Sequence, residues 1–243
     1  MPHPRMRDDM SQFLVHLTRD YGDRSALENL VSILRQRKIE ARNPHCLFAP
    51  KLKHTKFSPL LRSRFNTVCL TETPLHQISK LLQDVSGRQI KLQPYGMVFK
   101  RTDLQQKSAS PAIYINSYGT SLRDYLLAEF DKTFSDTTRY RDLKEDNQYP
   151  NEIIRYYALV NVMCSRYDFS WEREWRMCGD LRFRYEDIVA IIADESDEFE
   201  ETYSDRLSSA RSDCISRIPV IKPSWSYEEI IMKMSEAVRQ ARS

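Results

Sequence analysis

The chain has 243 residues, of which 41% are hydrophobic and 29% charged, with 37 Lys or Arg against 34 Asp or Glu and a formal net charge of +3. That balance excludes global disorder, and so small a net charge does not by itself point to a nucleic-acid partner. The five glycines are too scattered to assemble a GxGxxG or a Walker-type loop, which argues against Rossmann and P-loop nucleotide sites.

Taken in order, Phe13 to Thr18 (FLVHLT) reads as a short strand. From Ala26 the apolar positions Leu27, Leu30, Val31 and Leu34 follow the i, i+3, i+4, i+7 rule of an amphipathic helix. IEARN reads as a second short strand, and residues 43 to 66, with prolines at 44, 50 and 59, as irregular chain. TVCLTET is β-like up to Pro74 and leads into the helical PLHQISKLLQD. YGMVFK (Tyr95 to Lys100) and AIYIN (Ala112 to Asn116) are expected to be strands around a polar turn region. LRDYLLAEFDKTF reads as a helix and the hydrophilic stretch to Gln148 as a loop. NEIIRYYALVNVMCSRY is expected to be helical, WEREWRM a strand, and DIVAIIAD a buried strand. The expectation is a single α+β domain over residues 1 to 243 with short strands and interspersed helices, ending in an acidic loop and a helix at 196 to 243.

Five cysteines without a CxxC pair argue against a zinc module or a disulfide framework. The N-terminal MPHPRMRDDMSQ has no apolar signal-like region, and no apolar run is long enough to span a membrane. The expectation is a soluble cytoplasmic protein with no metal site and no membrane partner. Charge is unevenly spread. Arg35 to Arg64 holds nine Lys or Arg and one acid, whereas Ile192 to Asp213 holds eight acids and two arginines. The basic stretch, with Lys51, Lys53 and Lys56 beside Phe48 and Phe57, is either a solvated surface or a track for a phosphate backbone with aromatics that stack on bases. The acidic stretch reads as a mobile surface loop.

The segment WEREWRMCGD, Trp171 to Asp180, concentrates charge and tryptophan. As a strand it places Glu172, Glu174 and Arg176 on one face, with the two glutamates about 6.6 Å apart, and Trp171, Arg173 and Trp175 on the other. Two carboxylates and a guanidinium on one face make either a surface salt-bridge ladder or part of a site.

The ordered set His16 to Thr18, Asn29 to Leu34, Val68 to Leu75, Tyr95 to Phe99 and Glu172 to Arg176 resembles the ADP-ribosyltransferase-like fold over a core of about residues 13 to 195, which implies a split, mostly antiparallel sheet flanked by helices. In particular it resembles bacterial abortive-infection (AbiGi-like) families and a related bacterial family of unknown function. The resemblance implies a cytoplasmic anti-phage or toxin-type effector with NAD as substrate, its ADP-ribose passed to a protein or nucleic-acid acceptor, and a cognate defence or antitoxin partner. It implies Glu174 on the NAD ribose as the catalytic carboxylate and Glu172 in an accessory role toward the acceptor. His16 and Thr18 would position the dinucleotide, Thr71 would leave room for the nicotinamide ring, Arg42 would reach the phosphates, Tyr114 would stack on nicotinamide, and Arg176 would belong to the cofactor-binding set while balancing the carboxylates. The rival expectation is a non-enzymatic, antitoxin-like or nucleic-acid-binding protein on the same fold, working through Lys51, Lys53 and Lys56.

Overall fold

A computed structural model of the chain describes residues 11–54, 57–84, 90–134, 139–146, 148–163 and 170–240. In chain order it runs β1 (Phe13–Leu17), α1 (Ala26–Gln36), β2 (Lys38–Ile39), α2 (Ala49–His54), α3 (Pro59–Ser63) and β3 (Thr67–Thr71). Next come α4 (Ile78–Leu81), β4 (Tyr95–Lys100), α5 (Arg101–Gln106), β5 (Ser110–Pro111), β6 (Ile113–Asn116), α6 (Leu122–Thr133) and α7 (Tyr140–Asp146). The remainder is α8 (Pro150–Leu159), β7 (Val160–Met163), β8 (Glu174–Cys178), β9 (Leu181–Arg182), β10 (Ile188–Ala193), α9 (Ser196–Arg206), α10 (Ser209–Ser216), β11 (Val220–Ile221) and α11 (Tyr227–Gln240). The protein is α+β with a mostly antiparallel sheet.

The described chain divides into two compact units. The first comprises the described parts of Met1–Lys38, Leu70–Lys107 and Arg182–Ser243, and the second those of Ile39–Cys69 and Ser108–Leu181. In the first unit the strand order is β11, β10, β4, β1, then the end of β3. β4 pairs antiparallel with both β1 and β10, and β11 joins β10 in parallel. One face of this sheet carries Val15, Leu17, Val98, Ala190 and Ile192 against Leu75, Ile78 and Ile230. The amphipathic α1 forms as its spacing requires. Ser25 caps it in a reciprocal box with Glu28, all four predicted apolar positions are buried, and Arg37 ends it in the left-handed region.

The tight pairing of β1 and β4 depends on Gly96. It stands opposite Leu17, and a Cβ at this position would collide with the His16 carbonyl oxygen. The absence of a side chain is thus a condition of the pairing.

In the second unit β5 pairs antiparallel with β8, and β6 pairs in parallel with β7. Its core is built on aromatic rings. Phe48 stacks on Phe130 at 4.6 Å between centroids, and Tyr157 meets both rings edge-on. Offset-stacked and edge-to-face pairs suit the quadrupoles of the rings and add to the area buried.

Several local expectations change. Residues 43 to 66 hold two short helices where irregular chain was expected, and Tyr140–Asp146 is a helix in the expected loop. The acidic stretch folds as α9 and α10. The helix expected through Tyr167 stops at Leu159 and continues as strand β7, and residues 164–169 lie outside the described residues. Replacing Gly96 with Ala is expected to cost about 1–3 kcal/mol, the usual toll of overpacking. Urea denaturation measures it, and an unchanged midpoint would mean that β1 and β4 do not need this close approach.

Candidate functional site

The strand β8 begins later than the sequence pattern suggested. Ser170–Glu172 is a 3-10 turn, closed by the Arg173 amide donating to the Ser170 carbonyl, and Arg173 takes a left-handed φ of 49°. A non-glycine residue in that region interrupts the two-residue alternation of a strand. Glu172 therefore does not share a strand face with Glu174, and the expected E-x-E pair on one face is absent. Trp171 is exposed, whereas Trp175 and Met177 are buried. From Glu174 onward alternation holds, which puts Glu174, Arg176 and Cys178 on one side.

On that side lies a polar cluster of the second unit. Arg176 is only 1% exposed and Glu174 13%. The guanidinium grips the carboxylate as a fork, with Nε 3.0 Å from Oε1 and Nη2 2.7 Å from Oε2. Its third nitrogen, Nη1, donates to the Ala158 carbonyl at 3.0 Å and lies 3.5 Å from that of Leu159. These are the last carbonyls of α8, which lack acceptor duty within the helix and sit at the negative end of its dipole. Tyr114, on β6, donates its hydroxyl to Glu174 Oε2 at 2.9 Å. The Cys69 thiol, on β3, also hydrogen-bonds Glu174.

The electrostatics follow from burial and pairing. Burial by itself pushes the Glu174 carboxyl up, but the Arg176 charge and the hydrogen bonds from Arg176, Cys69 and Tyr114 outweigh it, so the net shift is down. Burial lowers Arg176, yet Glu174 overcomes this and holds the guanidinium charged beyond its ordinary range. Tyr114 and Cys69 shift upward, first through burial and then through the neighbouring carboxylate charge. The cluster is thus a carboxylate fixed in its ionised form by one permanent cation and two neutral donors.

The other predicted residues fall in different settings. His16 and Thr71 belong to the first unit, on paired strands, but Thr71 lies directly opposite Val15. Cross-strand partners share a face and neighbours alternate, so Thr71 points to the Val15 side and His16 to the other. The Thr71 hydroxyl is 2.8 Å from that of Thr73, and the Thr18 hydroxyl sits within 3.0 Å of the Ala26 and Tyr95 carbonyl oxygens. Arg42 is exposed and pairs with Glu40. Lys51 pairs with Asp131, Lys53 is exposed, and Lys56 lies outside the described residues. Phe48 and Phe57, expected beside these lysines as base-stacking rings, are buried core residues. The sequence reading assigned no role to Cys69, nor to the buried ion pair of Glu72 with Arg101 in the first unit. A glutamate inside the β-like TVCLTET run was the available signal for the latter.

Among the described residues no group of three or more His, Cys, Asp or Glu is placed to hold a metal ion, and no helix is long and apolar enough to cross a membrane. No family model, curated protein or solved structure matches the chain.

The cluster makes stability pH-dependent at both ends. Glu174 is depressed in the fold, so its contribution is complete above its ordinary value of 4.5 and is lost as pH falls through the lower folded value. Tyr114 is raised, so its contribution is complete below its ordinary value of 10.0 and is lost as pH climbs above it. Urea midpoints should therefore show Tyr114→Phe less stable than wild type at neutral pH, by about 1.5–3 kcal/mol for a hydrogen bond to a charged group. The gap should narrow above about pH 10, where only the wild type loses the tyrosine contribution. A constant gap across that range would contradict the assignment.

Proposed function

We propose that the protein is an NAD-consuming effector of ADP-ribosyltransferase type, with Glu174 as the carboxylate that faces the reacting ribose. The observation that carries this reading is a mostly buried carboxylate held ionised and oriented by Arg176, Tyr114 and Cys69. The ordered motifs from His16 to Arg176 add the resemblance in which a glutamate of this late segment does this work.

The chemistry asks for such a group. When the bond from ribose C1′ to the nicotinamide nitrogen breaks, the pair of electrons leaves with nicotinamide and positive charge grows on the sugar. A fixed carboxylate stabilises that charge and accepts a hydrogen bond from a ribose hydroxyl. Water or an acceptor side chain then bonds to C1′ and gives up a proton. The Tyr114 hydroxyl is a neutral donor on Oε2, of the same chemistry as a sugar hydroxyl, and is the donor that the ribose replaces. Arg176 acts here as the partner that keeps Glu174 charged, since each of its three nitrogens donates within the second unit.

A second reading draws on the same contacts. The two oxygens of Glu174 already receive Arg176 twice, Tyr114 and Cys69, which suits an ionic lock inside a non-enzymatic, antitoxin-like module. The nucleic-acid version of that reading is weakened by Lys51, whose ammonium is paired with Asp131, and by the burial of Phe48 and Phe57.

Incubation of the full chain with labelled NAD separates the two. The expected result is release of nicotinamide by the wild type and a loss of about 10²–10³ in rate for Glu174→Gln, which keeps volume but removes charge. Wild-type protein that neither binds nor consumes NAD would leave the ionic lock as the reading.

A further inference from the structure

The C-terminal helix α11 carries an apolar stripe that its own unit leaves half covered. Ile230 is buried against the sheet, and Met234 packs partly against the same core. Beside them Tyr227, Ile231 and Val238 are 59%, 42% and 52% exposed. Eleven residues make about three turns at about 3.6 residues per turn, so Tyr227 stands in line with Val238 and Ile231 lies between them. By the same spacing Glu228 stands in line with Arg239, along one flank of the stripe. The helix thus has an apolar seam whose flank is acidic near its start and basic near its end.

We propose that this seam is the contact surface of a homodimer, in which α11 packs antiparallel against α11 of a second copy of the chain. The polarity follows from the charges. In an antiparallel pair related by a two-fold axis, the same flank of each helix meets its counterpart with the ends reversed. Glu228 of one copy then lies beside Arg239 of the other, and the symmetry repeats the pair. A register that sets Tyr227 over Val238 and Ile231 over Met234 leaves Glu228 and the Arg239 of the other copy two residues, about 3 Å, apart along the axis, a gap that these long side chains span. A parallel pair related by a two-fold axis would set the flank carrying Glu228 and Arg239 against the opposite flank of the other helix, so neither residue would meet its counterpart. Antiparallel helix dipoles also oppose one another favourably. A 14-residue helix is about 21 Å long, so the contact belongs among small interfaces.

Sedimentation velocity on the full chain, from low to high micromolar concentration, tests this directly. The expected result is a concentration-dependent monomer–dimer equilibrium. Ile231→Asp and Val238→Asp, both at exposed positions, should each weaken dimerisation about tenfold or more while leaving far-ultraviolet circular dichroism and the urea midpoint of the monomer unchanged. Glu228→Arg alone and Arg239→Glu alone should also weaken it, and the double variant Glu228→Arg/Arg239→Glu should restore it. A chain that is monomeric at every concentration would overturn the proposal. So would a dimer indifferent to Ile231→Asp, or a charge-swapped double variant no better than its single parents.

Discussion

The second unit is organised around one buried guanidinium. Arg176 comes from the middle of β8, turns two nitrogens to Glu174 on its own strand and gives the third to the last carbonyls of α8. A cation so fully removed from water costs several kcal/mol unless it is matched by an anion and its N–H groups find acceptors. Both conditions are met here by fixed groups. The helix end and the strand are therefore held to each other by a side chain that has nowhere else to go. α8 carries Ile154, Tyr157 and Ala158 into the aromatic core, so the position of that helix is also the position of the rings around Phe130.

The same constraint fixes the chemistry the cluster can perform. Glu174 stays ionised because its partner cannot lose its proton, and it stays oriented because the fork is planar. Tyr114 and Cys69 face this charge and are correspondingly reluctant to ionise, so neither is a ready nucleophile or base at neutral pH. What remains is a carboxylate with a permanent negative charge in a mostly buried setting. Such a group serves equally as an electrostatic stabiliser of a cationic sugar or as a lock within the fold. The distinction lies in whether a substrate hydroxyl takes the place of the tyrosine.

Where a single periodic signal was strong, the fold was legible in the sequence. The spacing of Leu27, Leu30, Val31 and Leu34 marked α1, and YGMVFK and DIVAIIAD marked the central strands β4 and β10. The failures have separate physical causes. The alternation that placed Glu172 beside Glu174 broke at Arg173, because a left-handed backbone at an arginine leaves no trace in periodicity. Val160–Met163 is a short apolar run, and such runs fit a helix continuation as well as a strand until tertiary pairing decides. Phe48 and Phe57 sit among lysines in sequence yet belong to the buried core, because rings of that size gain more from leaving water than the local run of charge reveals. The role of Arg176 rests on carbonyls of Ala158 and Leu159, 18 and 17 residues earlier, which have no side-chain signature at all. His16 and Thr71 were legible as strand residues, but only the register with Val15 shows that they face opposite ways.

The dependence of the second unit on the Arg176–Glu174 fork is most directly tested by a double-mutant cycle in urea, with Arg176→Met, Glu174→Leu and the double variant. Each single change strands a buried charge and is expected to cost about 3–5 kcal/mol. The double variant should cost clearly less than the sum, with a coupling toward the upper end of about 0.5–3 kcal/mol. Additive costs, with no coupling between the two positions, would contradict the account.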